Sequence, residues 1–451
     1  MSKSRDLTSG SIRQHLIQLT IPMIFGLLSL VAFNLIDTYF VGQLGEDQLA
    51  ALSFTFPVIM VIFSLIQGIG IGATALISRS IGKNDREKAA RETTDSLFLA
   101  VVLAGIFVVV GQLTIKPTFR MLGASEEVLP YIVEYMQPWY WAILFVVIPF
   151  VGNSAIRATG DALTPSLIMF FAVVINAILD PLLIFGYGPL PELGIGGAAY
   201  ATAISRGMTM VLSLYVLNNR EKLITTHIPS FEVLKGCWKS ILYIGLPSGI
   251  SRMITPLAVG VATRLLAQHS EAAVAAFGVG TRLEFLVSSV LIALSASIGP
   301  IVGQNLGKNN FKRISSAVKE STWFAILWGF TLSVILAIVA KPLGALFTDS
   351  QEVVEYLSLY LYIVPFSFGF QGVVLIINSS LNTLNKPIDA SLLVLAQNFF
   401  IYILGSYAGS KLLGVSGIFG AIALAYVVGG IISVYWHRRT IDNLQKHVHV
   451  E

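Results

Sequence analysis

Apolar runs of about twenty residues, the length that crosses a bilayer core as helix, recur along the whole chain between short polar turns. The runs fall at 16–41, 53–78, 95–115, 131–152, 165–185, 196–217, 240–266, 277–302, 318–340, 357–380, 389–410 and 416–436. The pattern therefore predicts twelve transmembrane helices.

The pattern also repeats. SIGKNDREKAA at 80–90 resembles NLGKNNFKRIS at 305–315, a displacement of 225 residues. The same displacement pairs Pro22 with Pro247, Glu46 with Glu271, Tyr131 with Tyr356, and Asn153-Ser154 with Asn378-Ser379. A shift of 220 aligns LGIGGA at 193–198 with LGVSGI at 413–418. Internal similarity at this period means two homologous halves. Six crossings return the chain to its starting side, so the expected fold is all-α and polytopic, with two six-helix lobes related by a pseudo-two-fold axis along the membrane normal. The expected divisions are an N-terminal lobe at 1–217, a linker at 218–239, a C-terminal lobe at 240–436 and a tail at 437–451.

Composition agrees with a membrane protein: 55% of residues are apolar, 12% are charged, and mean hydropathy is +0.77. Of the 29 Lys and Arg, 24 lie outside the apolar runs and Lys319 lies at the very start of one; with Lys319 counted, 21 fall on the N terminus, every second loop and the C-terminal tail. Four (Lys116, Arg120, Lys341 and Lys411) lie on the opposite loops. Positive charge concentrates on the cytoplasmic side, so both termini are expected there, in a multi-pass protein of the cell (inner) membrane. The small net charge of +4 reflects this topology and gives no reason to expect a nucleic-acid partner. The N terminus shows no cleavage site of a signal peptide. A single cysteine, Cys237, excludes a disulfide framework. All six histidines fall in loops or tails, and neither HExxH nor GxxxxGK[ST] occurs, which argues against an enzyme and against ATP-driven transport.

The candidate chemistry lies where polar residues interrupt the apolar runs. In VVINAILDP, 173–181, Asn176 and Asp180 share one helical face. Asp37 lies in VAFNLIDTYF of the first helix. At 1.5 Å per residue, Asp37 and Asp180 sit about 30 Å and about 22 Å from the inner ends of helices running in the same direction. Two carboxylates at comparable depth can share a cavity and exchange protons. The bland alternative is that each pairs with an arginine such as Arg206 or caps a turn near Pro181. Transport use is the default reading of intramembrane acids. Pro22, fifteen residues before Asp37, removes a helix hydrogen bond and marks a kink point. Thr202 in GAAYATAISR and Asn34, one turn below Asp37, either join the same site or satisfy their own helix backbones.

The acids have no repeat partners, because the 225 shift carries Asp37 to Ala262, Asn176 to Ile401 and Asp180 to Gly405. The second half has Arg252, Arg264, Arg282 and Glu284. Snorkelling or mutual pairing accounts for Arg264 and the Arg282/Glu284 pair near helix ends. Arg252 lies deeper and is a candidate for a substrate or coupling role. Eight of the nine methionines fall in the first 210 residues, where their flexible side chains suit either core filling or a pocket for dissimilar apolar ligands.

Taken together, the two lobes, IP at 21–22, IDTYFVGQLG at 36–45, GKN after helices 2 and 8, RATGD at 157–161 and GAAYAT at 197–202 resemble the multidrug and toxic compound extrusion (MATE) family. The resemblance implies a secondary antiporter that expels cationic or amphipathic organic compounds in exchange for H⁺ or Na⁺, without a cofactor, acting as a monomer in the lipid bilayer. Within the family the chain is similar to the DNA-damage-inducible F-like branch. The resemblance matches Asp37, Asn176 and Asp180 to that branch's essential acids and the asparagine before the second of them. It likewise matches Pro22 to the branch's bending proline. The sodium-coupled branch carries acids in helices 7 and 10, where this chain has Thr255 and none. H⁺ is accordingly the expected coupling ion, with Na⁺ held by Asp37, Asn176, Asp180 and Thr202 as the alternative. A flippase for lipid-linked oligosaccharide, which shares the broad architecture, is the rival function.

Overall fold

The computed structural model describes residues 5–187, 191–226 and 230–448, nearly all of them helical. Six helices occupy the first half: α1 (Ile12–Gly42), α2 (Glu46–Gly82), α3 (Arg86–Met121), α4 (Leu129–Ala158), α5 (Leu163–Ile184) and α6 (Gly194–Tyr215). The second half comprises α7 (Phe231–Ala267), α8 (Glu271–Gly307), α9 (Phe311–Phe347), α10 (Gln351–Ile363), α11 (Phe368–Thr383), α12 (Pro387–Ala396) and α13 (Leu404–Val448). A 3-10 turn at Pro365–Ser367 joins α10 to α11 as the tenth span. A π-helical turn at Gln397–Ile403 joins α12 to α13. Gly414, at φ 63°, breaks α13 and separates the eleventh span from the twelfth. The twelve expected spans are all present, most of them longer than their apolar windows. Residues 227–229 of the expected linker and 449–451 of the tail lie outside the described residues.

The repeated GKN motif is a helix stop. Asn84 and Asn309, 225 residues apart, both adopt positive φ, 58° and 55°. Asparagine tolerates that left-handed geometry because its short amide bonds locally. The next residue starts the following helix: Asp85 accepts from the Lys88 N–H at 2.9 Å, and Asn310 from the Arg313 N–H at 3.2 Å. Each cap satisfies a backbone donor that has no partner within the helix.

The chain forms two compact units, Met1–Asp6 with Ile21–Leu246 and Leu7–Thr20 with Pro247–Glu451. Besides the change at Leu7, it passes from one unit to the other next to Pro22 and at Pro247, the repeat-related prolines. In the first unit α4 packs against α2, α3 and α6, and its Ile132, Met136, Ile143 and Val147 are wholly buried. In the second unit α10 and α11 pack against α8 and α9. The turn segment before α1, from Leu7 on, belongs to this unit and is clasped there. Leu7 is fully buried, its N–H donating to Gln304 Oε1 at 3.0 Å, while Arg313 donates to the carbonyls of Leu7, Ser9 and Gly10 at 3.2, 2.7 and 2.8 Å.

Candidate functional site

Within the first unit, α5 supplies the pair that its sequence spacing implies. Asn176 Nδ2 donates to Asp180 Oδ1 at 3.0 Å, and both side chains are fully buried. Pro181 follows directly and lacks an N–H, so the Ala177 carbonyl loses its helical donor at the same turn. α1 brings Asp37, also buried, close enough for its charge to act on Asp180. α4 brings the buried Tyr135 near enough for its hydroxyl to interact with both Asp37 and Asp180.

The approach of α6 to α5 depends on a glycine. A Cβ on Gly197 would lie 2.5 Å from the Leu183 carbonyl oxygen, so only a bare backbone fits there. Glu134, next to Tyr135, fixes the start of α6 by accepting from the Gly196 N–H at 3.2 Å. Further along α6, Thr202 is buried, and one turn beyond it Arg206 lies over the Phe33 ring with its guanidinium carbon 4.5 Å from the centroid.

Asp37 Oδ1, Asp180 Oδ2, Asn176 Oδ1 and Thr202 Oγ1 are all buried without a hydrogen-bond partner, and so is Arg206 Nε. A buried polar atom left unpaired costs about 1–3 kcal/mol. Three of the four oxygens can only accept, so what they lack is a donor or a positive charge. A proton supplies the first, and a small cation with oxygen ligands the second. Among the described residues neither acid forms an ion pair with Arg206 or any other base.

The other expected residues are placed differently. Asn34 is exposed, and its backbone carbonyl, rather than its amide, takes the bond from Thr38 Oγ1 at 2.8 Å. Pro22 is half-buried inside α1, one residue past the start of the first unit's longer segment. Arg252 is exposed on α7 in the second unit, with no ion pair among the described residues. Tyr135 was missed because an aromatic residue in an apolar run reads as core. The signal that could have found it is the repeat, whose 225 shift carries Tyr135 to Tyr360.

The sequence profile of the MatE family matches residues 22–182 and 247–408, one match in each half. A protein of Shewanella oneidensis named FAD transporter is 36% identical over 442 residues, covering 98% of both chains. The multidrug export protein MepA of Staphylococcus aureus is 25% identical over 410 residues, covering 90% of this chain and 89% of its own. The crystal structure of the Vibrio cholerae MATE transporter VcmN in its bent form covers 97% of this chain and 99% of its own, with a TM-score of 0.92 and 30% identity. With a family match in both repeats and the same helical architecture over nearly its full length, the chain belongs to the MATE family of membrane transporters.

Proposed function

We propose that this transporter exports amphipathic organic compounds, cationic ones included, in exchange for protons taken up at Asp37 and Asp180. The observation that carries the reading is the donor deficit: two neighbouring buried acids each keep one oxygen without a partner. A proton arriving there removes the repulsion between the carboxylates and fills an empty acceptor. Pro22 lets α1 bend as that charge disappears, and the bend changes the shape of the cargo site in the same unit. Ligand and proton shift one equilibrium in opposite directions only if each prefers a different state, so their sites must be coupled. Both termini face the cytoplasm in this scheme, a placement the charge bias of the loops supports. A single chain in the cell membrane suffices.

A second reading of the cargo is favoured by two observations. The Shewanella relative bears the name FAD transporter, and Arg206 holds an unpartnered buried Nε in the unit of the two acids. A flavin dinucleotide combines a planar ring with a diphosphate, which an aromatic-backed guanidinium can recognise.

Everted vesicles separate these readings. Ethidium or FAD is followed across the membrane under an imposed pH gradient or an imposed sodium gradient, for wild type, Asp37→Asn and Asp180→Asn. Transport driven by the pH gradient and lost in both variants supports the proposal, and whichever cargo moves identifies the class. Transport that needs sodium reassigns the ion to Na⁺ bound among the same oxygens. Movement of neither cargo under either gradient sinks the export reading in favour of lipid-linked oligosaccharide flipping.

A further inference from the structure

We propose that Glu284 of α8 is a second proton-binding group, in the second unit and separate from Asp37 and Asp180. Pairing with Arg282 accounts for Glu284 at the sequence level, but the structure gives it other partners. Its Oε2 accepts from the Tyr360 hydroxyl at 2.7 Å, and its Oε1 accepts from the Tyr426 hydroxyl at 2.9 Å and from Gln371 Nε2 at 3.0 Å. Ser288 Oγ donates to Gln371 Oε1 at 3.1 Å, which leaves the amide nitrogen turned towards the carboxylate. Phe277 and Phe419 pack edge-on against the Tyr360 ring at 5.9 and 5.2 Å and hold it in place.

The position is also deeper than it first looks. α8 begins at Glu271, so Glu284 lies about 20 Å along the helix at 1.5 Å per residue. Four elements face it: α10 with Tyr360, α11 with Gln371, α13 with Tyr426, and the π-helical turn with Tyr402, whose ring lies 6.4 Å from that of Tyr426. α9 contributes Trp328, which donates to the Val287 carbonyl at 3.4 Å. The titratable groups around the carboxylate are thus three tyrosines. Arg282 is exposed, and Glu284 has no ion pair among the described residues.

Lone-pair accounting selects the guest. A carboxylate offers about four acceptor positions. Three are taken here, two on Oε1 and one on Oε2, all by donors that point their hydrogens at the oxygen. The free position on Oε2 holds one proton, forming an O–H bond and taking the group from −1 to neutral. An alkali cation would need several oxygen lone pairs, and these neighbours present hydrogens instead. Glu284 is only partly covered. A charge inside a membrane protein opens to a water path or the bundle interior rather than to lipid, so water can deliver the proton.

The test reads carboxyl chemistry directly and does not depend on export. Infrared difference spectra between acid and alkaline pH are recorded on the full chain in lipid vesicles. The expected result is a protonated-carboxyl C=O band that Glu284→Gln abolishes and the double variant Asp37→Asn/Asp180→Asn retains. Tyr426→Phe keeps the carboxyl but removes one donor, and should move that band to higher frequency. It decides the matter if Glu284→Gln does not fold. Glu284→Gln spectra identical to wild type, or an unmoved band in Tyr426→Phe, would overturn the proposal. Loss of the band when sodium chloride replaces choline chloride at fixed pH would overturn the proton assignment in favour of sodium.

Discussion

Tyr135 and Tyr360 stand 225 residues apart at the same position of the two repeats, and each lies beside an acid of its own unit, Tyr135 near Asp37 and Tyr360 donating its hydroxyl to Glu284 at 2.7 Å. The acids themselves are not repeat partners, because the shift carries Asp37 to Ala262 and takes Glu284 back to Ile59. What the two halves share is therefore the donor. A hydroxyl on the fourth helix of either lobe points at the lobe interior, and an acid on any neighbouring helix that reaches it is offered a hydrogen bond in place of water.

Tyr135→Phe tests that relationship in the first unit. The hydroxyl donates to the ionised form of Asp37, and a hydrogen bond to a charged group contributes about 1.5–3 kcal/mol. Proton-driven transport should therefore fall roughly tenfold in the variant, the equivalent of about 1.4 kcal/mol. A rate equal to wild type in a vesicle efflux assay would show that the hydroxyl does not support the charged form.

The apolar windows are long and uniform enough for all twelve spans to be legible, and Asp37, Asn176, Asp180 and Thr202 stand out as polar interruptions of apolar runs, alongside Asn34 and Arg206 in the same runs. The partners of the acids were not legible. Tyr360 and Tyr426 lie 76 and 142 residues from Glu284, and no local pattern specifies which helices meet. Tyr135 hides for another reason: its ring fits the hydrophobic code while its hydroxyl does the chemistry. In the sequence Glu284 looks like a helix-end charge beside Arg282, because the alanine-rich first turns of α8 carry Glu271 and too little apolar bulk to extend the apolar window back to the true helix start.

Asn84 marks a helix stop whose cost can be measured. At φ 58° a β-carbon crowds the following carbonyl, by roughly 1–2 kcal/mol for an ordinary residue. Asn84→Ala should lower the melting temperature of the purified protein, whereas Asn84→Gly should match or exceed wild type because glycine enters that region freely. Equal melting temperatures for the two variants would remove the conformational explanation of the repeated motif.

Gly197→Ala probes the contact that brings α6 onto α5. The added Cβ would lie 2.5 Å from the Leu183 carbonyl oxygen, a backbone atom that cannot swing aside. Overpacking of this kind costs about 1–3 kcal/mol, so the helices must separate or the protein must lose stability. The expected result is a lower melting temperature together with weaker transport, since Thr202 rides on α6 away from the acids of α1 and α5. Gly207→Ala, at a position where the added Cβ would meet only the Phe145 ring at an ordinary 3.9 Å, serves as the control and should be close to neutral.

Arg206 distinguishes the two cargo classes through the sign of its charge. Its guanidinium lies 4.5 Å from the Phe33 centroid and keeps an unpartnered Nε. If anionic cargo is recognised there, Arg206→Ala removes both the charge and the flat surface, and Arg206→Lys restores the charge without the planar fork. Affinity for FAD should then fall by roughly tenfold or more in the alanine variant and recover only partly in the lysine variant, as expected for loss of a charge-assisted bond. Ethidium should respond in the opposite direction, because a cationic cargo no longer meets a like charge in the same unit. Parallel losses for both cargoes in a filter-binding measurement would instead assign Arg206 to packing against Phe33.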